Sequence, residues 1–366
     1  MIIPNKYIVC CTLVGLLFVI QSCDKSDDTA TEVVYDDTPY LLNRVGFPDP
    51  SIPEDNPLTV AGVRLGRMLF YEKDLSKDGS LSCAGCHKQE DAFDDTRRFS
   101  EGVNGEEGKR QAMAIFNMAW NDNEFFWDGR AHLLRDQALM PIQDELEMDE
   151  SLDNVVAKLS ATKRYRDQFV RAFGTDEVNE EKIGLALEQF MHSIVSNDSK
   201  YDQHLAGTST LTDSEERGRS LFFAEYNPFF PEESGADCAH CHSGLNFEND
   251  AYMNNGLDNE SDFSDLGRYE VSNNDFDKAK FKVTSLRNIA LTPPYMHDGR
   301  FETLEEVIEH YNSGVKSSPT VNPAIENTKH TGLMLTEQDK ADLLAFLKTL
   351  TDETLLNNSE YSNPFQ

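Results

Sequence analysis

The chain has 366 residues, of which 39% are hydrophobic, and it contains 65 acidic against 33 basic side chains. This length exceeds the usual size of one hydrophobic core and predicts two domains, while the hydrophobic content argues against wholesale disorder. The formal charge of -32 would repel nucleic acid and anionic membrane surfaces, and it would attract a basic protein partner.

The N-terminus has the pattern of an export signal. Lys6 precedes the apolar run "YIVCCTLVGLLFVI", which predicts a signal peptide over residues 1–22 that is too short for a comfortable membrane span. The following "IQSC" resembles the bacterial lipobox and implies that the mature protein starts at Cys23, which a lipid would anchor in the cell envelope, in the periplasm or on the outer membrane surface. The alternative is an ordinary signal peptide with a nearby cysteine. Residues 23–56 are predicted to form a flexible acidic tether and an N-terminal extension.

The remaining cysteines form two Cys-x-x-Cys-His motifs. Their residues are Cys83, Cys86 and His87, then Cys238, Cys241 and His242. On one helical turn these spacings share a face, so two thiols can bond the vinyl groups of a haem while the imidazole reaches the iron. A zinc site would need all four cysteines together despite their long separation, and a redox disulfide would not need a histidine after each pair. The pattern favours two covalently bound c-type haems.

The sequence around each motif is repeated, which predicts two related haem domains. "RLGRMLF" precedes the first motif and "ERGRSLFF" the second, and "FFWDGRAHLL" and "PYMHDGRFETL" follow them. We predict an N-terminal haem domain over residues 57–203, a C-terminal haem domain over 204–356 and a tail over 357–366.

Helix signals are frequent and alternating strand patterns are scarce. Apolar residues recur at helical spacing in "EEKIGLALEQFMHSIV". Capping boxes at Thr212, Thr303 and Thr336 predict three further helix starts. The predicted fold is mainly α, with two cytochrome c-like domains and long loops.

In this combination and order, the motifs resemble the bacterial dihaem cytochrome c peroxidases, including their MauG-like branch. The resemblance covers roughly residues 57–355 and includes "LSCAGCH", "FFWDGRAHLLRDQALMPIQDELEM", "CAHCH" and "FKVTSLRNIALTPPYMHDGRFETLEEVIEHY". It implies that His87 ligates an N-terminal haem where peroxide is reduced and that His242 ligates an electron-accepting haem. Trp127 resembles the tryptophan between the two haems.

The resemblance also assigns an acid–base pair on the open face of the peroxidatic haem. Gln137 and Glu147 match that pair, and Pro141 matches a proline beside it. A carboxylate can move a proton between the two oxygens of peroxide while an amide orients the molecule. We expect the neighbouring Asp144, Glu145 and Asp149 to be solvated surface residues.

Two features point toward the MauG-like branch. Residues 88–111 contain no histidine or methionine, so the peroxidatic iron is expected to be open at rest. Tyr311 occupies the position where many relatives place a methionine as second ligand of the C-terminal haem. A phenolate there would lower the potential relative to methionine. Met296 and Met334 remain alternative ligands.

The family further implies one calcium ion between the domains. Thr292 and Pro294 match two of its carbonyl ligands, while Gln111 stands where an asparagine is usual. His297 is expected to hydrogen-bond a haem propionate rather than bind a metal. Relatives are often dimers, which makes a homodimer an expectation.

Three functions follow from these residues. The first is reduction of hydrogen peroxide with electrons from a small redox protein such as cytochrome c. The second is a MauG-like oxidase that uses peroxide to oxidise a protein side chain. The third hypothesis is non-enzymatic: the protein is a dihaem electron carrier, in which Gln137 and Glu147 would have no role.

Overall fold

Helices dominate the part of the chain that this computed structural model describes, residues 32–366. The helices are α1 Val60–Phe70, α2 Cys83–Cys86, α3 Leu134–Gln143, α4 Leu152–Ala161, α5 Lys163–Phe173, α6 Glu180–Ser193, α7 Lys200–Leu205, α8 Asp213–Phe223, α9 Tyr269–Ser272, α10 Leu304–Glu309, α11 Pro323–Glu326, α12 Thr328–Thr331 and α13 Glu337–Lys348. Two short strands, β1 Tyr252–Met253 and β2 Phe281–Lys282, pair antiparallel. The mainly helical prediction is confirmed. The signal peptide and Cys23 lie outside the described residues.

The three predicted capping boxes are present and start α8, α10 and α13. In each, the threonine side chain accepts a hydrogen bond from the backbone N–H three residues later, and the acidic side chain there accepts one in return. The predicted helix around residues 183–194 is α6, which Asn179 caps. These helix starts could be predicted because capping depends on residues close in sequence.

The repeated Gly-Arg segments form α1 and α8, and each crosses a later helix at its glycine. A Cβ atom on Gly66 would lie 1.8 Å from the carbonyl oxygen of Ala186 on α6. On Gly218 it would lie 1.9 Å from the carbonyl oxygen of Asp342 on α13. The sequence repeat therefore corresponds to the same close helix crossing in both halves of the chain.

We expect Gly218→Ala to lower the free energy of unfolding by about 1–3 kcal/mol, the usual cost of overpacking. The added methyl group would meet backbone rather than a flexible side chain, so the two helices must separate. Denaturant unfolding of the holoprotein measures the loss. Gly108→Ala is the matched control because its nearest neighbouring atom would lie 3.8 Å away. Equal stability of the two variants would contradict the crossing as a packing constraint.

Two hydrophobic clusters lie within the compact unit formed by residues 34–366. The first is built on α1, α3, α4, α5 and α6, and the second on α8, α10 and α13. Residues 203 and 204 both lie inside α7, and the division there stays a prediction. The predicted tail returns to the first cluster, where Tyr361 is buried and Arg67 donates to the carbonyl oxygens of Ser359 and Glu360.

Candidate active site

The first Cys-x-x-Cys-His motif presents its histidine ready to bind a metal through Nε2. Cys83 to Cys86 form α2, and the His87 backbone N–H donates to the Cys83 carbonyl oxygen at 2.9 Å. Nδ1 of His87 lies 3.2 Å from the carbonyl oxygen of Phe93. A hydrogen bond from Nδ1–H leaves the Nε2 lone pair for a haem iron.

The second motif repeats this arrangement with one difference. Cys238–His240 form a 3₁₀ turn rather than the predicted α-helical turn, and Asp237 before it has a left-handed φ of 53°. The His242 N–H still donates to the Cys238 carbonyl oxygen at 2.8 Å, which keeps the thiols and the imidazole on one side. Nδ1 of His242 lies 3.0 Å from the carbonyl oxygen of Phe247.

The thiols fit covalent attachment better than metal coordination. All four cysteines are free, and burial raises the pKa of both Cys83 and Cys238 to about 12. Burial of these thiols in the protein matches their predicted role as covalent attachment points of a haem. Within residues 32–366, no group of three or more His, Cys, Asp or Glu side chains is placed to hold a metal ion.

A cavity of about 970 Å³ gathers most of the predicted site residues of the N-terminal half. It is lined by Cys86, His87, Trp127, Gln137, Pro141 and Glu147, and also by Gln111, Thr292, Pro294, Met296 and His297. Cys83 lines a smaller adjoining pocket with His87, Gln137 and Glu147. A free imidazole, two thiols and a large cavity in one place suit a c-type haem.

Glu147 is held beside α3 by a tight turn. Pro141 lies near the end of α3, and its carbonyl oxygen accepts from the Met148 N–H at 3.2 Å. The Glu147 N–H donates to the Asp144 carbonyl oxygen at 3.0 Å. Burial raises the pKa of the Glu147 carboxyl to about 7, with a smaller contribution from the charge of Asp144. A carboxyl with this pKa can both accept and release protons near neutral pH.

Trp127 links residues from both halves of the chain. Its Nε1–H donates to the Gln111 carbonyl oxygen at 2.9 Å, and its own carbonyl oxygen accepts from the Lys282 N–H at 2.8 Å. The centres of the Trp127 and His297 rings are 6.5 Å apart in an edge-to-face arrangement. Burial lowers the pKa of His297 to about 4, which keeps its imidazole neutral.

The two Asp-Gly-Arg segments form matching turns that place Trp127 and His297 at equivalent positions. Phe125 pairs with Ala131 across the first turn, and Tyr295 pairs with Phe301 across the second. The residues directly before Trp127 and His297 both have a left-handed backbone conformation, with φ of 68° at Phe126 and 76° at Met296. The repeat noticed in the sequence is therefore a repeat of backbone conformation.

Tyr311 and Cys238 are partly buried and both pack against the second cluster. Burial raises the pKa of its phenol to about 12, and a hydrogen bond from the Asn255 amide opposes that rise. The same amide reaches the sulfur of Met296, the first alternative ligand. Met334, the second alternative, is 38% exposed. Nothing in the sequence around "MNNGLD" singled out Asn255.

The predicted calcium ligands lie on the wall of the large cavity. Thr292 and Pro294 line it, together with Gln111 and Asp94. Gln111 Nε2 donates to both carboxylate oxygens of Asp94, at 3.1 and 3.2 Å. Burial raises the pKa of Asp94 well above its usual range. Calcium prefers oxygen ligands, and its site at this wall stays a prediction.

Comparisons with known proteins agree with these features. The family model of the di-haem cytochrome c peroxidases matches residues 60–210. The methylamine utilization protein MauG of Methylophilus methylotrophus is 32% identical over 301 residues, covering 81% of this chain and 84% of its own. The cytochrome c551 peroxidase of Nitrosomonas europaea is 33% identical over 292 residues, covering 79% of each chain. The crystal structure of a MauG-like protein associated with microbial copper homeostasis has a TM-score of 0.80 and 35% identity, covering 89% of this chain and 99% of that one.

Proposed function

Because the chain belongs to the di-haem cytochrome c peroxidase family, we propose that it reduces hydrogen peroxide to water with electrons from a small redox protein. Family membership makes it an oxidoreductase and sets aside the electron-carrier alternative. It also implies two c-type haems, which we assign to Cys83, Cys86 and His87 and to the second motif at residues 238–242. The observation that best supports peroxide chemistry is the partly buried Glu147 carboxyl, which lines the same cavity as His87.

The N-terminal haem, when bound, supplies the iron at which peroxide binds and the electrons that reduce it. The Glu147 carboxylate takes the proton from one peroxide oxygen and delivers it to the other, so that the O–O bond breaks and water leaves. The Gln137 amide on α3 orients the peroxide for this transfer. Each turnover consumes two electrons and two protons and forms two molecules of water.

We assign donor docking to the acidic loop, residues 224–237, which leads directly into Cys238. The loop contains four acidic residues and no lysine or arginine. Its Phe229 and Phe230 side chains are 85% and 56% exposed. Hydrogen bonds from both of their N–H groups to Asn227 Oδ1 hold them there. An apolar centre with an acidic rim suits a cytochrome whose haem edge is ringed by lysines.

Phe229→Ser should raise the KM for such a donor roughly tenfold and leave kcat nearly unchanged, because one exposed aromatic anchor is lost. Steady-state oxidation of a reduced basic cytochrome at several ionic strengths measures this. Phe276→Ser is the matched control, since Phe276 is 75% exposed but lies outside the acidic loop. A similar KM in both variants would place the donor elsewhere.

A MauG-like oxidase is the second candidate, favoured by Tyr311 and by the lack of a histidine or methionine in residues 88–111. The two functions separate when the all-ferric holoprotein meets peroxide with a reduced cytochrome present. Immediate donor oxidation supports the peroxidase. Rapid reaction with peroxide without donor oxidation supports oxidation of a protein side chain.

We further propose export and lipid attachment at Cys23, a calcium ion held by Thr292 and Pro294, and a homodimer. Mass spectrometry of the mature N-terminus tests the lipid and chelation followed by metal analysis tests the calcium. Sedimentation tests the dimer. In residues 32–366, the structure has no helix long and apolar enough to cross a membrane.

A further inference from the structure

A phenol and a thioether, two side-chain types that can ligate haem iron, meet at one amide group. Asn255 Nδ2 donates to the Tyr311 hydroxyl oxygen at 3.3 Å and to the Met296 sulfur at 3.2 Å. An amide nitrogen has two hydrogens, so it can serve both acceptors at once. Asn255 therefore lies between the phenol and the thioether.

The backbone on both sides of Asn255 is firmly held. The Asn254 side chain donates to the hydroxyls of Ser318 and Thr320 at 3.1 and 3.0 Å. The carbonyl oxygen of Gly256 accepts from the Lys316 N–H at 2.8 Å. These contacts hold the backbone of Asn255 in place, and its side-chain amide reaches both partners from there.

Tyr311 and the preceding residue, His310, both contact Asn255. His310–Gly314 form a single π-helical turn, a conformation common at functional sites. His310 Nε2 lies 3.0 Å from the Asn255 carbonyl oxygen, a contact suited to donation by Nε2–H. One residue thus holds His310 through its backbone and Tyr311 through its side chain, which fixes where the phenol oxygen lies.

Met296 is constrained mainly through its backbone. Its left-handed conformation belongs to the repeated Asp-Gly-Arg turn, in which the Gly299 N–H donates to the Met296 carbonyl oxygen at 3.1 Å. At the equivalent position of the first turn, the Phe126 ring lies 3.6 Å from the guanidinium carbon of Arg130. Met296 instead directs its sulfur to Asn255, and its flexible side chain can reorient without moving the turn.

We propose that Asn255 is a positioning residue that selects Tyr311 over Met296 as second ligand of the C-terminal haem iron. This inference rests on the proposed function, in which Tyr311 provides that ligand. A hydrogen bond to a negatively charged phenolate oxygen is stronger than one to a thioether sulfur, which is a weak acceptor. The amide therefore stabilises the iron-bound phenolate and tethers the competing sulfur.

Asn255→Leu in the dihaem holoprotein tests the proposal. Without the amide, the phenol oxygen should leave the iron and take a proton from solvent, and the Met296 sulfur should replace it. We expect the absorption signature of thioether ligation in most molecules and a higher reduction potential for this haem, since methionine raises it. Asn255→Asp keeps the shape, removes the donor and adds a repelling charge, so it should give the same change if the leucine variant does not fold.

Two further variants identify the ligand and control for local disruption. Adding Met296→Leu to Asn255→Leu should abolish the thioether signature, whereas Met296→Leu alone should leave the tyrosinate spectrum of the C-terminal haem unchanged. Asn322→Leu is the matched control, because its amide donates to another methionine sulfur, that of Met253, at 3.1 Å. That variant should keep the wild-type spectrum.

A retained tyrosinate spectrum in both Asn255 variants, with a potential that is unchanged or lower, would overturn the selection by Asn255. A lower potential is the result expected if the amide only hydrogen-bonds a ligand that stays in place. A separate variant tests the assignment of Tyr311 as the ligand. If Tyr311→Phe leaves the spectrum of this haem unchanged, Tyr311 is not the ligand, whatever the Asn255 variants show.

Discussion

Replacing Glu147 by glutamine should lower peroxide turnover by about 10²–10⁴-fold, the range that a positioned acid–base group contributes. Glutamine keeps the shape of the side chain but cannot accept the proton that must move between the peroxide oxygens. The initial rate of peroxide consumption, with a saturating reduced donor, measures the loss. The haem spectrum should be unchanged because Glu147 is not assigned to hold the haem.

The pH dependence should change with the rate. Burial raises the Glu147 pKa from its usual 4.5 to about 7, so the carboxylate that accepts a proton becomes the main form only above that pH. Wild-type turnover should therefore increase as pH rises through about 7. In Glu147→Gln this increase of turnover with pH should be absent, because no carboxyl titrates at this position.

Glu145→Gln provides the matched control for this experiment. It makes the same substitution two residues earlier, on a side chain that is exposed and does not line the cavity. Its turnover and pH profile should equal those of the wild type. Full activity in Glu147→Gln, or an equal loss in Glu145→Gln, would rule out Glu147 as the proton-transfer group.

The sequence predicted the features that depend on neighbouring residues. Capping boxes located helix starts because the cap and its partner are three residues apart, as at Thr212 and Glu215. The Cys-x-x-Cys-His motifs predicted haem attachment from spacing within one turn. Repeated segments predicted repeated structure, and Gly66 and Gly218 show why each glycine is required.

Features that depend on distant residues could not be predicted in this way. Asn255 meets Met296 and Tyr311 only because three segments that are distant in sequence converge, and no local pattern marks that amide. The return of Tyr361 to the first cluster is equally non-local, so residues 357–366 resembled a simple tail. Glu147 was selected among several acidic neighbours by resemblance alone, whereas its burial distinguishes it from the exposed Asp144 and Glu145.

Replacing Trp127 by leucine should slow donor-supported peroxide turnover by about tenfold or more, equivalent to at least about 1.4 kcal/mol in the barrier. Trp127 lines the large cavity and contacts residues of both halves, so we assign its ring to the electron path between the haems. Trp127→Phe should lose less, because it keeps an aromatic ring but removes the N–H that donates to the Gln111 carbonyl oxygen.

The other tryptophan of the chain gives a matched control. Trp120 packs on Phe47 and donates from Nε1 to the Pro48 carbonyl oxygen at 3.0 Å, away from the cavity lining. Trp120→Leu should leave turnover unchanged. The reaction of the ferric protein with peroxide before any donor is added should be equally fast in all variants, because Glu147 and Gln137 perform that step. A slower initial reaction in Trp127→Leu would assign Trp127 to the peroxide site, and unchanged donor-supported turnover would mean that electrons cross by another path.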